Sequence, residues 1–160
     1  MKKINTIDTI SALTQALHQS KKRIVLVGGC FDILHVGHIR FLTAAKKQGD
    51  TLIVLLESDQ TITAQKGSHR PVNTQEDRAE ILGALEVVDH VIILKPEMND
   101  HAYDELVFAL KPAIIATTAG DHYRSHKERQ AKAIGAEVID VIMPVSDKST
   151  TRVFEILQEL

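Results

Sequence analysis

Ile24-Val25-Leu26-Val27-Gly28-Gly29-Cys30-Phe31-Asp32-Ile33-Leu34-His35-Val36-Gly37-His38 is the stretch that decides the fold. Its first four residues form a continuous apolar run, the pattern of a strand covered on both faces. Gly28-Gly29 ends the run, and two glycines let a backbone turn tightly and lie close to a ligand. His38, Phe41, Leu42 and Ala45 then recur at helical spacing, with Gly49 placed as a C-terminal stop. Strand, glycine turn and helix in that order open a βαβ unit.

The same alternation runs outward in both directions. Upstream, Ile7, Ile10, Leu13 and Leu17 predict a helix over residues 7–18, so residues 1–20 read as a leading helix. Downstream, strands are predicted at Leu52–Leu56, Val91–Leu94, Ala113–Ala116 and Val138–Ile142. Between them, Thr74 and Asp77 have capping-box spacing before a helix carrying Arg78, Ile81, Leu82 and Leu85. Tyr103, Leu106, Val107 and Leu110 mark another helix, and residues 124–134 a polar one. Val153, Ile156, Leu157 and Leu160 close the chain with an amphipathic helix. The stretch after Leu56 is polar, with Gly67 and Pro71 as breakers, and reads as loop. The expectation is an α/β fold: a five-stranded parallel sheet flanked by helices, with right-handed crossovers. Ligands in such sheets bind beyond the carboxyl ends of the strands, near the point where strand order reverses. That places Gly28 to His38 at the binding site.

At 160 residues the chain suits one domain spanning 1–160. Hydrophobic residues make up 44% and charged ones 25%, which supports a packed core and argues against disorder. Lysine and arginine total 19 against 21 aspartates and glutamates, a formal charge of −2, and aromatic content is 4%. Neither feature suits a nucleic-acid or anionic-membrane binder. Cys30 is the single cysteine, so an intramolecular disulfide and a Cys-rich zinc site are excluded. With no apolar run of ~18 residues and no signal peptide read at the N-terminus, the expected location is cytoplasmic.

His35 and His38 sit three apart where a helix begins. A helix N-terminus offers free N–H groups and the positive end of a dipole, which suits phosphate. Gly37 between the histidines leaves room for a nucleotide against the backbone. No Gly-Lys-Ser/Thr follows, so this is not a P-loop, and the G-x-G-x-x-G spacing of dinucleotide folds is absent. A zinc site at His35 and His38 lacks a third ligand at motif spacing, so no metal ligand is assigned.

The segment resembles the His-x-Gly-His signature of the nucleotidylyltransferase superfamily, which includes the cytidylyltransferases. Lys22-Arg23-Ile24-Val25, Lys66-Gly67, Arg70-Pro71-Val72-Asn73, Arg78 and Leu82 to Asp89 look like bacterial heptose-1-phosphate adenylyltransferase domains. Ser149-Thr150-Thr151 matches a triplet shared with glycerol-3-phosphate cytidylyltransferases. The likeness runs from about Lys21 to Leu160. It implies a Rossmann-like domain, a homodimer, and transfer of AMP or CMP from a nucleoside triphosphate to a small phosphorylated acceptor. His35, His38 and Lys66 are then the catalytic residues, the histidines on the triphosphate and Lys66 reaching it after binding. Gly28, Gly29, Cys30, Phe31, Asp32, Gly37, Arg78, Gly120, Asp121, Ser149, Thr150 and Thr151 are implied as nucleotide-binding residues, with Mg²⁺ accompanying the triphosphate. Gln60 to Gln75 carries Lys66, His69 and Arg70 and no carboxylate, a local positive stretch sized for a triphosphate.

One stretch departs from the pattern. The heptose enzymes carry Val-Lys-Gly-Gly-Asp-Tyr after a Lys-Pro pair. Here Lys111-Pro112 is followed by Ala116-Thr117-Thr118-Ala119-Gly120-Asp121-His122-Tyr123, with the lysine replaced and the loop about one residue longer. Nucleotidyl transfer stays plausible while the heptose substrate comes into question. His122, Arg124, His126, Lys127 and Arg129 follow and offer charge for an anionic acceptor, or else only a solvated helix face. Cytidylyl transfer to glycerol 3-phosphate, FAD synthesis from FMN, and a non-catalytic nucleotide-binding domain are the other readings.

Overall fold

A computed structural model of the chain describes residues 3–145 and 149–158. Its sheet has six strands, all parallel, where sequence patterning predicted five. In chain order they are β1 Ile4–Thr6, β2 Ile24–Gly29, β3 Thr51–Leu56, β4 His90–Ile93, β5 Ile114–Thr118 and β6 Glu137–Ile142. The helices are α1 Ile10–Ser20, α2 Val36–Lys46, α3 Asp59–Lys66, α4 Gln75–Ala84, α5 Asp100–Leu110, α6 Arg124–Ile134 and α7 Thr150–Gln158. Strand order across the sheet is β1-β4-β3-β2-β5-β6. The sixth strand is β1, three residues paired along the outer edge of β4. So short a strand shows no alternation of its own; its pairing to β4 creates it. The leading helix is correspondingly shorter than 1–20: Ile7–Thr9 forms one 3₁₀ turn, and α1 begins only at Ile10.

Strands β2 and β3 lie in the middle of the sheet, and β3 is buried at every position. Two apolar layers cover the faces. Val25, Val27, Leu42, Leu52, Val54, Leu82 and Val91 pack on one side. Leu17, Leu26, Ile53, Ile92, Leu106, Leu110 and Ile115 pack on the other. Alternate residues of one strand enter opposite layers, as the pleat requires. Burying a Leu, Ile or Val side chain contributes roughly 1.5–3 kcal/mol, so these layers dominate the stability. Gly49 stops the α2 connection by close approach: a Cβ there would lie 2.7 Å from the Arg23 carbonyl oxygen.

The polar stretch after β3, read as loop, contains α3. Ser58 caps it, its Oγ accepting from the Thr61 amide at 3.1 Å, but Ile62 is its one buried residue. With no apolar stripe the helix has no periodic signal to read. Among the predicted core positions of the last helix, Leu160 lies outside the described residues. No described helix is long and apolar enough to cross a membrane.

Candidate active site

The chain leaves β2 through β3 and β4 on one side, then returns to β5 and β6 on the other. The reversal point lies between β2 and β5, and a cleft of about 390 Å³ opens there. One side is built from the end of β2, the turn after it and the first half of α2: Gly28 to Phe31, His35, Gly37, His38 and Phe41. The other comes from Thr117 to Asp121, Lys127 of α6, Ile142 at the end of β6, and Met143 to Val145 beyond it. Gly120 and Asp121 thus face the glycine-histidine segment, although 80 residues or more of chain separate them.

The turn after β2 is close-fitted. Phe31 is buried and takes a left-handed backbone conformation at φ 46°. A Cβ on Gly29 would meet the Phe31 ring at 2.9 Å, so only glycine fits without moving that ring. His35 is the N-cap of α2 and its Nδ1 accepts from the Gly37 amide at 3.1 Å. His38 answers from the first turn of the helix, its Nδ1 accepting from the His35 amide at 3.4 Å. The two rings stack with centroids 3.9 Å apart, and the Phe31 ring lies 5.3 Å from that of His38. A neutral imidazole whose Nδ1 accepts carries its proton on Nε2, so both rings are fixed as Nε2 donors. Burial, then repulsion from His35 and Lys66, pushes His38 down to about 4. Burial lowers His35 as well. The pair is therefore neutral and donating at pH 7, without two like charges held in contact.

Asp32 does not line this cleft. Its buried carboxylate accepts from Arg70 Nε at 2.6 Å and from the Val72 and Asn73 amides at 2.8 and 3.1 Å. Its carbonyl accepts from the Asn73 side chain at 2.7 Å. Asp32 ties the signature turn to the segment after α3, and all its bonds are internal. The Arg70 guanidinium also lies 5.5 Å from the Phe154 ring of α7, and its second terminal nitrogen is buried with no hydrogen-bond partner among the described residues. Lys66 is the exposed last residue of α3, outside the cleft lining, yet its charge acts on both Cys30 and His38.

Arg78, expected at the phosphates, is fully buried beneath the turn. Its guanidinium donates to the carbonyls of Asn73 (3.1 Å), Cys30 (2.5 Å) and Glu57 (2.9 Å), and to the Asp59 carboxylate at 2.7 Å. It is a clamp joining the ends of β2 and β3. The helical periodicity that located it on α4 gave no sign of this, since a buried arginine and a ligand-facing one share the same spacing.

On the far side, Thr117, Asp121 and Lys127 form one cluster. The Asp121 carboxylate accepts from Lys127 Nζ at 2.5 Å and from Thr117 Oγ1 at 2.8 Å, and Lys127 also reaches Thr117 at 3.3 Å. Burial pushes the Asp121 carboxyl up, but the bonds from Lys127 and Thr117 outweigh it and hold the group below the usual carboxylate range. A lysine therefore stands beside Thr117 after all, supplied by α6 rather than by the strand. Among the described residues lining the cleft, Lys127 is the one lysine or arginine and Asp121 the one carboxylate. The other basic residues of this stretch lie outside: Arg124 pairs with Glu128 and Asp140, Arg129 with Asp104, and His126 faces Asp100 at 3.7 Å. Met143 to Val145, which also line the cleft, carried no sequence signal beyond following a strand.

Ser149 and Thr151 are exposed and Thr150 is buried at the start of α7. Ser149 Oγ accepts from the Arg152 amide at 3.1 Å, and Thr150 Oγ1 donates to the Ile33 carbonyl at 3.2 Å. The triplet caps α7 and docks its N-terminus on the signature turn. On the opposite flank, at the end of β3, the half-buried Glu57 carboxylate is met by the Tyr103 hydroxyl, 2.7 Å from each oxygen. Sequence reading gave neither a site role: Tyr103 served only as a helix marker, and Glu57 belongs to no motif.

Comparison with known proteins gives a consistent pattern. A family model described as Cytidylyltransferase-like matches residues 26–159. "Bifunctional protein HldE" of Aliarcobacter butzleri is 38% identical over 159 residues, covering 98% of this chain and 31% of that protein. The Nitratiruptor sp. protein of the same name is 42% identical over 152 residues, again 31% of its length. The chain thus spans about a third of the curated relatives it matches. A solved lipopolysaccharide core biosynthesis protein from Thermoplasma volcanium superposes with a TM-score of 0.63 at 28% identity, over 79% of this chain and 99% of that one. Pantoate-beta-alanine ligase from Francisella tularensis gives a TM-score of 0.63 at 17% identity, covering 99% of this chain and 77% of that one, a likeness of fold.

Proposed function

The chain belongs to the cytidylyltransferase-like family of nucleotidyltransferases, and we propose on that footing that it moves AMP or CMP from a nucleoside triphosphate to a small phosphorylated acceptor. A phosphate oxygen of the acceptor attacks the α-phosphorus, the bond to the bridging oxygen breaks, and the electron pair leaves with pyrophosphate. An acceptor phosphate is ionised at neutral pH, so no general base is required. What remains is positioning and neutralisation of charge on the phosphoryl oxygens.

The observation that carries this reading is the His35–His38 pair, two rings locked by backbone amides at a helix N-terminus inside the cleft. Their Nε2 protons are the donors offered to the triphosphate. Lys66 joins from the end of α3 once substrate is in place, and the N-terminus of α7 with Ser149 and Thr151 faces the β- and γ-phosphates. Asp32 and Arg78 serve the same end from behind, by holding the turn. Mg²⁺ accompanying the triphosphate would supply neutralisation of phosphate charge and support for the leaving pyrophosphate.

For the acceptor, a sugar or polyol phosphate of the heptose-1-phosphate kind is favoured by the middle of the chain, together with AMP as the group transferred. The Thr117–Asp121–Lys127 cluster departs from the heptose pattern and keeps cytidylyl transfer to glycerol 3-phosphate as the second reading. Pyrophosphate release with ATP and CTP, each against heptose 1-phosphate, glycerol 3-phosphate and FMN, separates them. Nucleotide binding without turnover on any acceptor would instead mark a regulatory nucleotide-binding domain.

A further inference from the structure

We propose that Glu57 and Tyr103 are specificity-determining residues, a subsite that holds hydroxyl groups of the acceptor and so discriminates hydroxylated from simple alkyl phosphates. The inference rests on the nucleotidyl-transfer reading above and assigns residues of this chain to the hydroxyl end of the acceptor.

Glu57 follows β3 directly. Its amide donates to the Gly29 carbonyl at 3.1 Å and its own carbonyl accepts from Arg78, so its backbone is anchored to the signature turn. The carboxylate is half-buried and makes no ion pair among the described residues. One O–H, that of Tyr103, serves two oxygens with about four lone pairs. Burial pushes the Glu57 carboxyl up, opposed by the Tyr103 bond and the nearby Arg78 charge. A carboxylate so placed lacks donors, and leaving such acceptors unmet in a half-buried place is unfavourable. Its negative charge reaches the Cys30 thiol, so it acts within the field of the signature turn.

The position fits an acceptor. The nucleotide cleft lies on the β5 side of β2, and Glu57 lies at the end of β3, on the other side of β2. With the base and sugar of the nucleotide in the cleft, the β3 side of β2 is left for the acceptor. The Glu57 charge repels a phosphate, so the phosphate end turns toward the histidines and the hydroxyl end toward Glu57. Two neighbouring hydroxyls donating to the two carboxylate oxygens supply the missing bonds, while Tyr103 holds the carboxylate in place from α5.

The test is equilibrium binding of mannose 1-phosphate, glycerol 3-phosphate and ethyl phosphate, each with a non-hydrolysable ATP analogue present. The wild type should bind the two polyol phosphates more tightly than ethyl phosphate. Glu57→Gln should weaken polyol-phosphate binding about tenfold, the scale of a site built to meet substrate hydroxyls. Ethyl phosphate and the ATP analogue should bind as before. Tyr103→Phe, which keeps the carboxylate, should give a smaller loss in the same direction. Equal weakening for ethyl phosphate, no change for the polyol phosphates, or a wild type that binds none of the three or does not prefer the polyols, would overturn the subsite. If Glu57-dependent binding holds while no acceptor yields pyrophosphate, the transfer reading falls and the subsite stands.

Discussion

His35 and His38 hold each other in a reciprocal cap: each Nδ1 accepts a backbone amide of the same turn while the rings stack at 3.9 Å. The arrangement has a pH signature. His38 sits at about 4 in the folded chain against the usual 6.5. Between those values the unfolded chain takes up a proton that folded His38 refuses. Stability from this group is complete above pH 6.5 and falls as the pH drops toward 4, by up to ~3 kcal/mol. Denaturant melts of the wild type should lose stability through that window, and His38→Gln should show a shallower loss.

His38→Ala should remove most turnover while leaving the far-UV circular dichroism unchanged. Wild-type turnover in that variant would take the histidine out of the chemistry.

Lys66 differs in kind, since it stands outside the cleft at the end of a helix with one buried side chain. Lys66→Ala should lower kcat with the ground-state affinity for triphosphate little changed. Equal losses in both would mean that Lys66 binds substrate and transition state alike.

Asp32→Ala removes the buried partner of Arg70, whose guanidinium then keeps its charge with no carboxylate beside it. Breaking a buried pair from one side costs about 3–5 kcal/mol. The midpoint of unfolding should fall accordingly, and Arg78→Lys should act similarly, because an ammonium cannot span three carbonyls. A weakened KM for triphosphate with unchanged stability would place either residue at the ligand instead.

Lys127→Met leaves Asp121 with the Thr117 hydroxyl and the Tyr123 amide, without its cation. The Asp121 carboxyl should rise, and KM for the nucleoside triphosphate should rise about tenfold, or ~1.4 kcal/mol, as read by initial rates at fixed acceptor. An unchanged KM would make Lys127 a prop for the loop alone.

Much of this was legible in the residues. The apolar runs located five of six strands, because strands buried on both faces read as continuous hydrophobic segments. The three-residue edge strand β1 and the polar helix α3 were not legible, because neither buries enough of itself to leave a period. The site divides in the same way. Gly28 to His38 was readable as one local unit, and Gly120 and Asp121 came from a short pattern, so the structure finds both on the cleft. Asp32 and Arg78 were named for the ligand, and their partners turned out to be carbonyls, amides and side chains of the protein itself. Glu57, Tyr103 and the particular role of Lys127 depend on contacts across 6 to 46 positions, which spacing along the chain does not encode.

The two sides of the cleft come from separate parts of the chain, residues 28–41 and 117–145, and the clamp made by Arg78 braces only the first. The fold is in this sense a socket with an exchangeable jaw. Substitutions on the 117–145 side leave the Arg78 clamp under the histidine turn in place. A chimaera that takes this segment from a relative should inherit the donor's nucleotide preference and keep the recipient's chemistry.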